Sequence, residues 1–268
     1  YKTINLDDHK QKLIHVYSDS NEVGKVYLPT LGLTSSIKNI SALLVGLEIH
    51  TDNRWQSWCK KLRSEHLLDV TPPSYKGILD LGKVFNLLDK ELPSNAVVTL
   101  DAGNHTGWPQ RFLTYSPDRR QIGSTCGAMG YSVPAAVAAS LLDRDRLVVC
   151  LVGDGGFMMS GMELATAVQY QAPIIVLVFN NNSYGTIRMH QEKKYPGRVI
   201  ATNLENPSFK ELGEAMGVYA EIIFKTSEFL PAFRRCLAKK KPCLLELKTD
   251  QKQLSSRFKL SDIMKPGH

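Results

Sequence analysis

The sequence predicts an α/β protein: a doubly wound parallel sheet with helices on both faces, preceded by part of a second α/β domain. Three observations carry that prediction. Residues 147–152 and 174–179 are apolar runs rich in β-branched side chains and lack polar alternation, as strands covered on both faces of a parallel sheet read. Between them Leu164 and Val168 keep helical spacing, so the unit is strand–helix–strand, with a right-handed crossover. Further apolar runs at 96–100, 219–224 and 243–248 are separated by helical patterns, which repeats the βα theme.

From the N-terminus, residues 1–12 are polar and without period. Residues 13–17, LIHVY, read as a strand closed by Ser18-Asp19-Ser20-Asn21. Residues 37–48 and 54–68 have helical spacing, and Trp55, Trp58 and Leu62 form an apolar face on the second. One convincing strand with a partner or two cannot bury both its faces, so residues 1–70 read as an incomplete domain. Pro72-Pro73-Ser74 marks 68–77 as a linker into a second domain at 71–268. There, 79–88 reads as a helix, and an Ala-rich helix follows Pro134 as far as Leu142. Ser160 and Glu163 fit a capping box opening the helix of the central unit. Residues 184–191 read as a helix, and Asn206-Pro207 fit the N-cap and first turn of one ending before Gly217. A last helix at 227–238 sits between two strands, and the dozen residues from Leu254 carry no strong pattern and read as a tail.

The 268 residues suffice for one large or two modest domains, and 43% hydrophobic residues suffice for a sizeable core. No apolar run approaches the roughly 20 residues that span a bilayer, and no signal-peptide core is present, so neither membrane nor export is expected. Five cysteines form no CxxC pair, which fits idle thiols in a reducing cytoplasm. The net charge of +7 is dispersed apart from 119–120 and 239–241 and lacks interleaved aromatics, which argues against nucleic acid. It leaves open a surface that attracts anionic substrates or simply a solvated face.

The chemistry sits where polar clusters close the strands. Asp154, between Gly153 and Gly155, follows the first central strand, and Asn180-Asn181-Asn182 follow the second. In parallel neighbours both clusters emerge at the carboxyl edge of the sheet, the crevice where open α/β sheets bind ligands. A carboxylate, an amide oxygen and a backbone carbonyl are hard ligands suited to Mg²⁺ or Ca²⁺. Gly155 and Gly156 allow backbone N–H groups to approach a phosphate, with the helix from Ser160 pointing its positive end the same way. A third cluster, Asp101-Ala102-Gly103-Asn104-His105, offers Asn104 and His105 as phosphate partners. The plain alternative for each cluster is an ordinary turn after a strand. Two other phosphate motifs fail: Met158 stands where GxGxxG needs glycine, and GxxxxGK[ST] is absent.

Gly153-Asp154-Gly155 followed by Asn180-Asn181 is similar to the GDG…NN signature of thiamine-diphosphate-dependent enzymes. The resemblance implies that family's thiamine-diphosphate-binding fold. It also implies a metal, Mg²⁺, held by Asp154, Asn181 and the carbonyl of Ser183. Gly103, Asn104 and His105 would form a first diphosphate loop, and Gly153, Asp154, Gly155 and Gly156 the second, with Tyr184, Gly185 and Thr186 opening a helix over the cofactor. In SxxGAMGYxxPAA, Gly127 and Ala128 would meet the aminopyrimidine and Met129 would wedge between the two rings, a role suited to an adaptable thioether. The segments RRQIGSTCGAMGYSVPAA and NPSFKELGEAMG are similar to the acetolactate synthase (acetohydroxyacid synthase) large-subunit branch, and LIHVYSDSNEVGKVY to the later half of that family's middle domain. Two positions depart: His190 stands where that branch has tryptophan, and Thr186 where it has methionine. Asn182-Ser183-Tyr184-Gly185 is as similar to benzoylformate decarboxylase.

The resemblance implies decarboxylation of a 2-oxo acid followed by carboligation, in a homodimer or homotetramer whose activating glutamate comes from a separate pyrimidine-binding domain. No catalytic residue is then expected in this chain, which reads as the C-terminal portion of a larger enzyme, inactive alone. FAD is left open by half a middle domain. The alternatives are a decarboxylase of the benzoylformate type and a non-catalytic module of the same fold.

Overall fold

The computed structural model describes residues 11–48, 55–73, 75 and 77–263. The polar stretch 1–10, Arg54 at a predicted helix start, Ser74 of the linker and the last five residues lie outside the described residues. The chain divides into two compact units, Tyr1–Leu62 and Arg63–His268.

In the first unit β1 (Ile14–Tyr17) pairs in parallel with β2 (Leu31–Thr34), Ile14 opposite Leu31. α1 (Ile37–Val45) is capped by Ser36, whose hydroxyl accepts from Asn39 N at 3.2 Å. α2 (Gln56–Asp69) starts in this unit and runs two residues into the predicted linker. Neither helix buries a residue; Trp58 and Leu62, both on α2 as predicted, are 58% and 42% exposed, and Trp55 falls just before the helix.

The second unit is α/β, as predicted. Its six-stranded sheet is parallel throughout, in the order β4-β3-β5-β6-β8-β7. The strands are β3 (Val97–Leu100), β4 (Arg120–Gly123), β5 (Val148–Gly153), β6 (Ile174–Asn180), β7 (Tyr219–Ile223) and β8 (Cys243–Lys248). Side chains of β5 alternate between two cores, since successive residues of a strand face opposite ways. Val149 and Leu151 pack with Val84, Phe85 and Leu88 of α3 (Leu81–Glu91), Trp108 and Phe112 of α4 (Gly107–Phe112), and Phe229 and Phe233 of α10 (Thr226–Lys239). Val148, Cys150 and Val152 pack with Val133 and Ala136 of α5 (Ser132–Leu142), Phe157 of α6 (Asp154–Ser160), Leu164 and Ala167 of α7 (Leu164–Gln169), and Phe209 of α9 (Phe209–Ala215). α8 (Gly185–Lys194) and α11 (Leu260–Ile263) complete the unit.

From β3 the chain steps to β4 on one side and then returns to β5 on the other. The helix following β3 joins one core and the helix following β5 joins the other, which opens the crevice of a topological switch point at the carboxyl ends of these two strands.

Four local expectations are corrected. The central helix begins at Asp154, with Gly153 as N-cap; Ser160 ends α6 and makes no capping bond, and a 3₁₀ turn, Gly161–Glu163, leads into α7. α9 is capped by Ser208, which accepts from Glu211 N at 3.3 Å, rather than by Asn206. β4, not foreseen, pairs Val97 with Arg120 at the sheet edge. The predicted tail is folded: Leu254 is buried, Arg111 donates to the Ser256 carbonyl at 2.5 Å, and Arg257 forks onto Asp69 at 2.5 and 2.6 Å. Cys150, Cys236 and Cys243 are buried and Cys59 and Cys126 exposed, all as free thiols.

Candidate functional site

The loops closing β3, β5 and β6 meet at a cavity of about 300 Å³ in the second unit, at the low end for small-molecule sites. Its lining includes Gly103, Asn104, His105, Met129, Gly153, Asp154, Gly155 and Gly156, and also Asn181, Ser183, Tyr184, Gly185 and Thr186. Gly127 and Ala128 lie apart from the lining on an exposed turn, where Ala128 N donates to Ser124 Oγ at 3.1 Å.

β5 and β6 run in register to their ends, Gly153 opposite Phe179, which brings the loop at Asp154 against that at Asn181. Asp154 Oδ2 and Asn181 Oδ1 accept from the same N–H, that of Ser183, at 3.3 and 3.0 Å. Both oxygens thus lie within 3.3 Å of one atom. The Ser183 carbonyl accepts from Gly185 N at 2.8 Å and keeps a second lone pair. Asn182 takes a left-handed conformation (φ +53°), the turn that reverses the chain after β6. Burial pushes the Asp154 carboxyl above the usual carboxylate range, although the Gly155 and Ser183 N–H groups and the Asn206 amide draw it back. Among the described residues no three His, Cys, Asp or Glu side chains cluster, so any ion here rests on one carboxylate plus amide and backbone oxygens.

Two glycines shape the walls. A Cβ on Gly155 would come within 2.4 Å of the Tyr184 ring and 3.4 Å of Met129 Cε, and one on Gly103, at φ +151°, within 2.8 Å of His105 Nδ1. His105 is 9% exposed; burial lowers its pKa to about 4, so the ring is neutral, and its Nε2 has no partner. The ring stacks on Phe179 (5.4 Å, 21°), which stacks in turn on Phe85 of α3 (5.9 Å, 7°). Asn104 Oδ1 accepts from Thr186 Oγ1 at 3.0 Å, which joins the first loop to α8.

Asp101, Asn180, Asn206 and Glu246 also build the site, although the sequence reading gave none of them a role there. Asp101 heads the third polar cluster. Its carboxylate accepts from Ala102 N (2.7 Å), from Gly130 N through both oxygens (2.9 and 3.0 Å), and from Ser132 Oγ (3.4 Å), anchoring the loop that carries Met129. Asn206 donates into the Asp154 cluster, and Asn180 Nδ2 donates to the fully buried Glu246 at 2.8 Å. Asn206 could have been suspected only as an asparagine left over once Ser208 takes the cap.

A cavity at a switch point, walled by glycines and closed by a GDG loop beside an NN loop, is a site of cofactor-binding α/β enzymes. Residues 101–247, more than half the chain, match the family model "Thiamine pyrophosphate enzyme, C-terminal TPP binding domain", and the chain belongs to that family. Within it the similarity runs to acetolactate synthases. The chain is 30% identical over 250 residues to "Probable acetolactate synthase large subunit" of Methanocaldococcus jannaschii (89% of this chain, 42% of the relative). To "Acetolactate synthase isozyme 2 large subunit" of Escherichia coli it is 30% identical over 242 residues (89% and 43%). To "Acetolactate synthase, mitochondrial" of Schizosaccharomyces pombe it is 27% identical over 249 (90% and 37%). The chain spans about two fifths of the length of these relatives. Among the described residues no helix is long and apolar enough to cross a membrane.

Proposed function

We propose that this chain holds thiamine diphosphate through a divalent cation, Mg²⁺, and serves an acetolactate synthase-like enzyme that acts on 2-oxo acids. One observation carries the reading: Asp154 Oδ2 and Asn181 Oδ1 both accept from the Ser183 N–H, so side-chain oxygens of the two signature loops lie within 3.3 Å of one atom, on the residue whose carbonyl would be the third ligand. A carboxylate oxygen and an amide oxygen brought this close, beside a backbone carbonyl, are the hard ligands a divalent cation takes. The cavity fits the cofactor in two further respects. The walls close in where Gly103 and Gly155 lack side chains, and the buried His105 Nε2 and Ser183 Oγ stand without partners.

When bound, thiamine diphosphate supplies the electron sink for decarboxylation and carbon–carbon bond formation. In this reading Asp154, Asn181 and the Ser183 carbonyl hold the ion. Gly103, Asn104 and His105 on one side, with Gly153, Gly155 and Gly156 on the other, border the diphosphate. Met129, Tyr184, Gly185 and Thr186 support the ring, and Gly127 and Ala128 keep the pyrimidine-facing role that their motif suggests. We place the activating glutamate outside these 268 residues and the working enzyme as a homodimer or homotetramer. The isolated chain then binds cofactor weakly and leaves pyruvate untouched.

Thermal-shift titration tests the reading. Thiamine diphosphate with Mg²⁺ should raise the Tm, and either alone, or both with EDTA, should not. An equal rise in EDTA, or an undiminished one in Asp154→Ala, would overturn it.

A further inference from the structure

Asn206 belongs to neither signature loop, yet its amide nitrogen reaches three oxygens there: Asp154 Oδ2 at 2.9 Å, Asn180 Oδ1 at 3.0 Å and Asn182 Oδ1 at 3.2 Å. Because Ser208 caps α9, the Asn206 side chain is free to turn the other way. Its orientation is set from behind. Glu246, fully buried on β8, accepts from Asn180 Nδ2, from Lys210 N at 3.2 Å and from the Lys248 ammonium. Asn180 thus turns its NH₂ toward Glu246 and its oxygen toward the site. That oxygen already takes the Asn182 N–H at 3.1 Å, and it draws the Asn206 NH₂ toward itself and Asp154. The line Glu246, Asn180, Asn206, Asp154 therefore has one consistent set of donor directions from buried strand to site.

Resting on the cation reading above, we infer that Asn206 is a positioning residue for the ion. It places its amide hydrogens among three side-chain oxygens, of which Asp154 Oδ2 and Asn180 Oδ1 otherwise hold one backbone N–H each, and so fixes the Asp154 carboxylate in its pose beside Asn181. Groups that orient a metal ligand from behind change metal affinity by about 10- to 100-fold when removed.

The test uses Mn²⁺ as probe, titrated by electron paramagnetic resonance into the full 268-residue chain with thiamine diphosphate present. Asn206→Ala, and Asn206→Leu, which keeps the volume without the donors, should each weaken Mn²⁺ by about 10- to 100-fold. The control Ser208→Ala loosens the same segment through its cap; it should lower Tm and leave Mn²⁺ affinity within about twofold. Affinity retained in Asn206→Leu, a loss in Ser208→Ala as large as in Asn206→Ala, or failure of both Asn206 variants to fold would overturn the inference alone. Absence of Mn²⁺ binding by the unaltered chain, or binding undiminished in Asp154→Ala, would overturn the cation reading and this inference with it.

Discussion

Asp101 and Asp154 close neighbouring strands, are 3% and 2% exposed, and have carboxyl pKa values raised by burial. Their surroundings differ in kind. Asp101 is ringed by donors, namely two backbone N–H groups and a hydroxyl, and each of its oxygens is taken. Asp154 keeps one donor to itself, the Gly155 N–H on Oδ1, while its Oδ2 takes only shared ones: the Ser183 N–H also serves Asn181, and the Asn206 amide also serves Asn180 and Asn182. One carboxylate is satisfied by its own chain and works as a pin for the Met129 loop. The other holds Oδ2 only through donors it shares with three asparagines, and this is the oxygen that the proposed cation would take. Burial and raised pKa values alone would not have separated them; whether their donors are shared with other oxygens does.

The contrast can be broken most directly at Asp154. Asp154→Ala should abolish Mg²⁺-dependent thiamine diphosphate binding by calorimetry while leaving the chain folded, because the Ser183 N–H keeps Asn181 and the Asn206 amide keeps Asn180 and Asn182 as acceptors, and only the Gly155 N–H is orphaned. Asp101→Ala should do the reverse. Orphaning the Gly130 and Ala102 N–H groups should cost on the order of 3 kcal/mol in urea unfolding, with any loss of cofactor secondary to a loosened Met129 loop. If Asp101→Ala proved as stable as the parent, the pin would be no pin.

His105, in the loop between them, sharpens the comparison through pH. Its pKa is lowered to about 4 from an ordinary 6.5, so the neutral ring contributes stability that is present above 6.5 and lost as pH falls toward 4. Relative to His105→Gln, the parent should lose up to about 3 kcal/mol over that window; parallel curves would mean the ring is already protonated or open to water. The smallest effect is at a plain helix cap. Ser208→Ala should cost about 1 kcal/mol by the same unfolding measurement, with no effect at either carboxylate.

Much of this was legible in the sequence because β5 and β6 are buried on both faces, and burial writes itself as unbroken apolar runs. The GDG and NN loops were legible for the same reason, as polar punctuation after those runs. β4 was not: an edge strand needs little burial, and only Ile122 in Arg120-Gln121-Ile122-Gly123 packs against a core. The start of α6 at Asp154 defeats propensity, since Asp154-Gly155-Gly156 is a poor helix opening that close packing against Tyr184 and Asp101 nonetheless holds. Asn206 and the folded tail depend on contacts across 52 and 188 residues, Asn206 to Asp154 and Arg257 to Asp69, which no local pattern records.

The stack of Phe85, Phe179 and His105 carries a consequence beyond the floor of the cavity. Three flat rings in a row make a column, with one end set in the oily interior and the other facing the cavity. A substitution that tilts α3 by a few degrees would tilt the imidazole with it, so the shape of this pocket can be tuned from residues such as Phe85 that do not line it.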